Sequence, residues 1–364
     1  MKCTVEQKQF LPQVRKIANI LCKHTMLPIL GTVLLDAKED RLELTSSCLD
    51  ISVHTTLTAK VAEPGKTTVP VKNLLELTDR LQGTEIFLHS DKRHHCQITC
   101  GNAKFKLFGL NPEDFPAIPE TQTKHRIVLR NADCRNLIDR VAYAVSKDET
   151  RMVMKGIFFS LKAGVLTTVG TDGRRMALNE AVPTAIDGDD ADFILPLKAA
   201  VEISRLSEDA DTVEFRFDEK HLSVIFGTTT LTAKLIDGRY PDFRKVIPAE
   251  FSKTLDLTAE SVLAPLELVS VPLNGVGSVA LHFFSGNLKL HSEAPAVGEG
   301  TVQIDIPYDS EDEKNFLFNP EYLRAPLKFS GAETLRLHLN GDDMPVMLTS
   351  NTGFKYVLMP IRSN

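Results

Sequence analysis

Leu195-Pro196-Leu197-Lys198-Ala199-Ala200-Val201-Glu202-Ile203-Ser204-Arg205-Leu206 reads as a strand that ends on proline and a short amphipathic helix. A strand of alternating polarity, Thr212-Val213-Glu214-Phe215-Arg216-Phe217, follows it. The same order occurs earlier, in Val69-Pro70-Val71-Lys72-Asn73-Leu74-Leu75-Glu76-Leu77 and then Thr84-Glu85-Ile86-Phe87-Leu88-His89. It occurs later, in Phe318-Asn319-Pro320-Glu321-Tyr322-Leu323-Arg324-Ala325 and then Glu333-Thr334-Leu335-Arg336-Leu337. Pro196 lies 126 positions beyond Pro70, and the third copy falls a similar distance on. A period of this length marks a repeated domain, not a solenoid unit.

The 364 residues are too many for one ordinary core, and the repeat divides them into units 1–120, 121–249 and 250–364. In the first, Glu6 to Leu21 has helical periodicity, with Pro12 interrupting its first turns. Strand-like runs follow at Gly31–Asp36, Arg41–Thr45 and Asp50–Leu57, and at Cys96–Thr99 and Lys104–Leu107 about a turn. The second unit repeats this order from a helix at Asn131–Val145. The third opens on a helix over Thr258–Leu273, which contains Pro265 and Pro272 and has Glu260 and Glu267 as its only charges. The proline-rich segments Asn111–Pro119 and Arg239–Pro248 read as connectors. Two helices and several alternating strands per unit give an α+β class, with antiparallel sheet against a helix pair.

Composition is that of a globular protein. No apolar run reaches the roughly 18 residues of a membrane span, and Met1–Gln7 lacks the apolar stretch of a signal peptide. The six cysteines are scattered, which fits reduced thiols in a cytoplasmic protein. Net charge is −6, so a nucleic-acid partner would require cations segregated onto one surface. No dinucleotide fingerprint or phosphate loop is present. His94, His95, Cys96 and Cys100 sit around a tight turn, where neighbouring residues point to opposite faces, and read as structural, so no metal site is assigned. Asp172 with Asp237 or Asp242 could pose as an acid–base pair, but each lies in an Asp-Gly or Pro-Asp turn context. Neither a nucleophile with its base nor a cofactor motif is evident, and a binding scaffold is favoured over an enzyme.

Four segments together resemble the bacterial DNA polymerase III beta subunits, the sliding-clamp family. They are Met26-Leu27-Pro28-Ile29-Leu30-Gly31, Thr168-Val169-Gly170-Thr171-Asp172-Gly173-Arg174-Arg175-Met176-Ala177, Leu235-Ile236-Asp237-Gly238-Arg239-Tyr240-Pro241-Asp242-Phe243-Arg244 and Tyr356-Val357-Leu358-Met359-Pro360-Ile361-Arg362. The resemblance spans essentially the whole chain. It implies three domains of the DNA-clamp fold per chain and a head-to-tail homodimeric ring, with antiparallel sheets outside and two helices per domain inside. Such a ring is non-catalytic and encircles double-stranded DNA without sequence specificity. A clamp loader opens it, and it tethers the replicative polymerase alpha subunit and other polymerases and repair proteins by effective concentration.

A sliding ring should meet phosphates through sparse cations and leave the bases unread. The resemblance, with the helix positions, points to Lys23, His24, Arg15, Lys16, Lys72, Arg80, Arg135, Arg140, Lys198, Arg205, Arg324 and Lys328. The six helices hold nearly as many acids as bases, so weak direct DNA affinity is expected, with retention by topology. A peptide groove is implied at Met154, Thr171, Gly173, Arg174, Arg175, Met176, Pro241, Lys245, Val246, Tyr322, Val346, Met359, Pro360, Ile361 and Arg362. Flexible methionines suit varied apolar anchors. Arg174, Lys245 and Val153 depart from the family's common histidine, arginine and aromatic. The subunit interface is implied at Lys104, Phe105 and Lys106 on an edge strand, facing Val271, Pro272, Leu273, Glu293 and Glu299. Two rival readings are an enzyme centred on the Asp172–Arg175 turn and a clamp paralogue serving repair or antibiotic tolerance.

Overall fold

A computed structural model describes residues 1–20 and 27–362. Lys23, His24 and Met26 therefore lie outside the described residues. The α-helices among those described are α1 (Gln7–Ala18), α2 (Val71–Arg80), α3 (Asn131–Ala142), α4 (Leu197–Leu206), α5 (Ala259–Val269) and α6 (Pro320–Phe329). Each repeat thus carries two. All strand pairs among the described residues are antiparallel. The chain forms two compact units.

The first unit comprises 1–134, 184–189 and 201–235. Its larger sheet has nine strands, in the order Ala185–Asp187, His125–Arg130, Thr212–Phe217, His221–Phe226, Thr229–Lys234, Ile51–Thr58, Arg41–Ser47, Thr32–Lys38, Gly65–Pro70. The strand Thr229–Lys234 of the second repeat pairs directly with Ile51–Thr58 of the first, and the Thr55 and Thr229 hydroxyls meet at 2.9 Å. Sheet therefore runs unbroken from one repeat into the next. A five-stranded sheet begins at Lys60–Glu63, continues through Lys2–Glu6, Glu85–Ser90 and His95–Cys100, and ends at Ala103–Phe108.

α1 presents Phe10, Val14 and Ile17 to the core at three- to four-residue spacing, each with no exposed surface. Burying each contributes about 1.5–3 kcal/mol. Pro12 does not break α1, because it lies on the exposed side where the lost backbone bond faces water.

The second unit comprises 135–183, 190–200 and 236–364. Its eight-stranded sheet runs Ala191–Pro196, Gly156–Lys162, Val165–Thr171, Arg175–Ala181, Lys355–Leu358, Val346–Thr349, Thr334–Leu339, Lys253–Thr258. Here strand Arg175–Ala181 of the second repeat pairs with Lys355–Leu358 of the third. A four-stranded sheet runs Gly298–Asp305, Asn287–Ala294, Val279–Phe284, Lys314–Phe318.

Some sequence boundaries shift. The helix expected over Thr258–Leu273 stops at Val269, and Val271–Leu273 form a separate 3-10 turn closed by Asn274 at φ 47. The Asn131–Val145 helix stops at Ala142. Strand Lys2–Glu6 was not anticipated. His94 sits before its strand, in the turn, at φ 61. Cys3, Cys96, Cys100 and Cys134 are buried free thiols, and burial pushes Cys3 up to about 11 and Cys96 up to about 12. Cys48 is disulfide-bonded, against the expectation that all six thiols are reduced. No helix among the described residues is long and apolar enough to cross a membrane.

Candidate functional site

The second unit brings the Thr171–Arg175 turn beside the C-terminal strand. Strand Val165–Thr171 ends in this turn, and its hydrogen bonds are local. Thr171 Oγ1 donates to the Arg175 carbonyl at 2.6 Å and accepts from the Gly173 N–H at 3.1 Å. Asp172 Oδ1 accepts from the N–H groups of Arg174 and Arg175 at 2.9 and 3.1 Å. Its other oxygen accepts from Arg175 Nε at 3.0 Å. Both carboxylate oxygens are committed to holding the turn, which is the role Asp takes in such turns. This geometry opposes the enzyme reading. Gly173 is required here: its φ is +84, and a Cβ would stand 2.7 Å from Arg151 Nη1.

Arg175 is the hub beneath the turn. Nη2 donates to the Tyr143 carbonyl at 2.6 Å, and the guanidinium carbon lies 4.1 Å from the Tyr322 ring centroid. The Tyr356 hydroxyl donates to the Tyr322 carbonyl at 2.8 Å, and Phe329 stacks on Tyr143 at 5.4 Å. Burial raises the pKa of both Tyr143 and Tyr356, so their hydroxyls stay neutral.

The C-terminal segment is fastened to the same place. Register pairs Arg175 with Leu358 and Met176 with Val357. The Met359 N–H donates to the Arg174 carbonyl at 3.0 Å, and Ile361 N–H to the Leu317 carbonyl at 2.7 Å. A shared apolar cluster of Val169, Met176, Leu178, Ile194, Tyr240, Phe243, Met347 and Val357 supports the floor. The Phe158 and Tyr240 rings stack within it at 4.8 Å.

The expected groove residues divide by exposure. Gly173, Arg174, Pro241, Lys245, Val246, Met359, Ile361 and Arg362 are exposed, and Met154, Arg175, Tyr322 and Pro360 are half-buried. Met176, Thr171 and Val346 are buried and shape the site from beneath. Val246, Met359 and Ile361 expose 51%, 42% and 45% of their surface, a large fraction for apolar side chains. Sequence reasoning missed Tyr143, Phe329 and Arg151, and quoted Tyr356 only as the start of the C-terminal segment, because nothing local to them signals a site that is assembled from distant strands.

Five of the helix cations are seen paired with acids. Arg15 bonds Asp79, and Arg80 meets Glu76 at 2.8 Å. Arg205 meets Glu202 at 2.8 Å and also donates to the Lys16 carbonyl. Lys328 meets Glu267 at 2.6 Å, and Arg324 meets Glu321 at 2.9 Å. Lys72 and Lys198 are exposed and Arg135 is half-buried. Arg140 departs from the expectation of a DNA contact. It is 8% exposed, and its Nη1 donates to Asn179 and Thr352 side chains at 3.3 and 2.8 Å. Burial lowers its pKa, and its hydrogen bonds hold α3 to the strand Arg175–Ala181 and to the turn between Val346–Thr349 and Lys355–Leu358.

Two of the edge strands carry the residues expected at the subunit interface. Ala103–Phe108 closes the five-stranded sheet, with Lys104, Phe105 and Lys106 exposed and Phe105 at 44%. Gly298–Asp305 closes the four-stranded sheet, where Glu293 and Glu299 face each other across the ladder and both are exposed. Val271 is 67% exposed, but Leu273 is 3% exposed. Leu273 turns inward at the 3-10 turn, a correction to its expected place on an interface.

Three repeats of two helices with antiparallel sheet, joined by continuous sheet, are the features of a clamp. The comparisons agree along the full length. Models of the DNA polymerase III beta subunit match residues 1–119 (N-terminal domain), 128–242 (central domain) and 244–362 (C-terminal domain). The beta sliding clamp of Chlamydia muridarum is 32% identical over 364 residues, covering 100% of this chain and 99% of that one. The crystal structure of the sliding clamp from Pseudomonas aeruginosa bound to griselimycin superposes with a TM-score of 0.94 at 25% identity, with 100% of both chains covered. A Caulobacter crescentus beta sliding clamp gives 0.93 at 28% identity, again with 100% of both chains covered.

The chain has the three-domain clamp fold and belongs to the DNA polymerase III beta subunit family. Its function is that of a beta sliding clamp, the processivity factor of DNA polymerase III and a non-catalytic subunit of that holoenzyme.

Proposed function

We propose that two copies close head to tail into a ring, with domain joints near residues 120 and 249. The ring encircles duplex DNA in the cytoplasm after a clamp loader opens it. The observation that supports closure is the charge of the two open edges. One carries Lys104 and Lys106 around Phe105, with Lys106 3.8 Å from Asp91, and the other carries Glu299, which faces Glu293 on the next strand inward. Like charges directly opposite on a ladder are unfavourable. A basic edge added alongside relieves that repulsion and continues the sheet.

On the DNA side, cations paired with their own acids give little direct affinity, so retention comes from closure around the strand. Partners dock by a short peptide with apolar anchors, which meets Val246, Met359 and Ile361 above the Arg175 hub. They include the replicative polymerase alpha subunit and other polymerases and repair proteins.

A charge swap tests the ring. Lys104→Glu with Lys106→Glu, or Glu293→Lys with Glu299→Lys, should each give monomers by light scattering. A mixture of the two variants should form heterodimers closed by one charge-swapped joint and one native joint. Dimers in both single variants would reject this joint.

A further inference from the structure

The helix pairs of the first and third repeats differ in kind, and the difference bears on how DNA is held. α1 and α2 carry Lys8, Arg15, Lys16, Lys72 and Arg80 against two acids, Glu76 and Asp79. The two acids are taken by Arg15 and Arg80. Lys8, Lys16 and Lys72 have no acidic partner among the described residues, and Lys8 and Lys72 are exposed.

α5 and α6 reverse this. α5 has no cation, and α6 has Arg324 and Lys328. Both are neutralised, by Glu321 and Glu267 respectively, which leaves Glu260 in excess. The remaining exposed residues of this pair are uncharged and mostly apolar, Ser261 and Ala264 beside Leu268 at 64% and Phe329 at 49%.

Phosphates bind where cations can replace their condensed counterions. The α1–α2 surface has cations to offer. The α5–α6 surface has a net negative charge and apolar side chains, and offers none without breaking an ion pair. We propose that duplex DNA is tracked by the first-repeat helices, with Lys8 and Lys72 as contact residues. The third-repeat helix pair is then a wall that the phosphates pass without binding. This deepens the ring reading above and rests on it. It also removes Arg324 and Lys328 from the contact set.

The test compares paired neutral variants in the full-length dimer. Binding of a fluorescent 30-base-pair duplex is followed by anisotropy across a salt series. Lys8→Gln with Lys72→Gln should weaken binding several-fold at low salt and flatten the slope of log K against log salt by at least about two, at about 0.9 per lost phosphate contact. Lys8→Arg with Lys72→Arg should keep both affinity and slope. Arg324→Gln with Lys328→Gln should leave both within twofold of the parent. An equal loss in the Arg324/Lys328 variant, or none in the Lys8/Lys72 variant, overturns the proposal. Loader-dependent retention of the parent on circular DNA is measured alongside. If the parent is not retained there, the ring reading has failed, independently of which helices touch phosphate.

Discussion

The Arg175 guanidinium lies over the Tyr322 ring at 4.1 Å while its edge is held by Asp172 and the Tyr143 carbonyl. One planar cation thus joins the turn, a helix-borne aromatic and the end of α3. Lysine carries the charge but neither stacks as a plane nor donates in a fork. Arg175→Lys should weaken binding of a peptide from the cognate polymerase about tenfold, or about 1.4 kcal/mol, by anisotropy. Unchanged affinity would mean that the hub does not shape the groove.

Met359 is fixed by its own N–H to the Arg174 carbonyl, so its side chain is presented from a rigid backbone. Met359→Glu puts a charge in the proposed groove, and should weaken the same peptide by at least about tenfold, with little change in melting temperature because the side chain is 42% exposed. A large loss of stability with peptide affinity intact would place Met359 in the core instead.

Phe105 projects from an edge strand at 44% exposure with no further strand beyond it among the described residues. Phe105→Arg should convert the proposed dimer to monomer at micromolar concentration in sedimentation. A dimer of parental stability would exclude this edge from the interface.

His54 and His338 are caught between threonines. His338 Nδ1 and Nε2 lie 3.0 and 2.9 Å from the Thr254 and Thr349 hydroxyls, and His54 Nδ1 lies 3.1 Å from that of Thr45. Burial holds both below the ordinary 6.5. The neutral rings therefore belong to the folded state. Their contribution is present above pH 6.5 and is lost as pH falls below it. Ring proton resonances should titrate below 6.5, and His338→Gln should flatten the decline of melting temperature between about pH 6.5 and 5. Titration at or above 6.5 would contradict the assignment.

Much of this was legible in the chain. The proline-led helix is written three times, and the Thr171–Arg175 turn and the Met359–Arg362 tail could be named before their meeting was seen. What was not legible depends on distant partners. Nothing local says that Thr229–Lys234 pairs with Ile51–Thr58, because either strand alternates equally well against another neighbour. Arg140 looked like a surface cation, and is buried because Asn179 and Thr352 supply acceptors from far along the sequence. Leu273 looked available until the Asn274 turn rotated it inward. The end of α5 at Val269 is set by the 3-10 turn that carries Pro272, so helical periodicity overran it.

The central claim is that DNA is held by closure around it, with direct affinity secondary. Its most direct test is retention on nicked circular DNA, loaded by the cognate clamp loader, before and after one cut makes the DNA linear. The account predicts stable retention on the circle and rapid loss from the cut molecule. Equal retention on both would mean direct binding, and would contradict it.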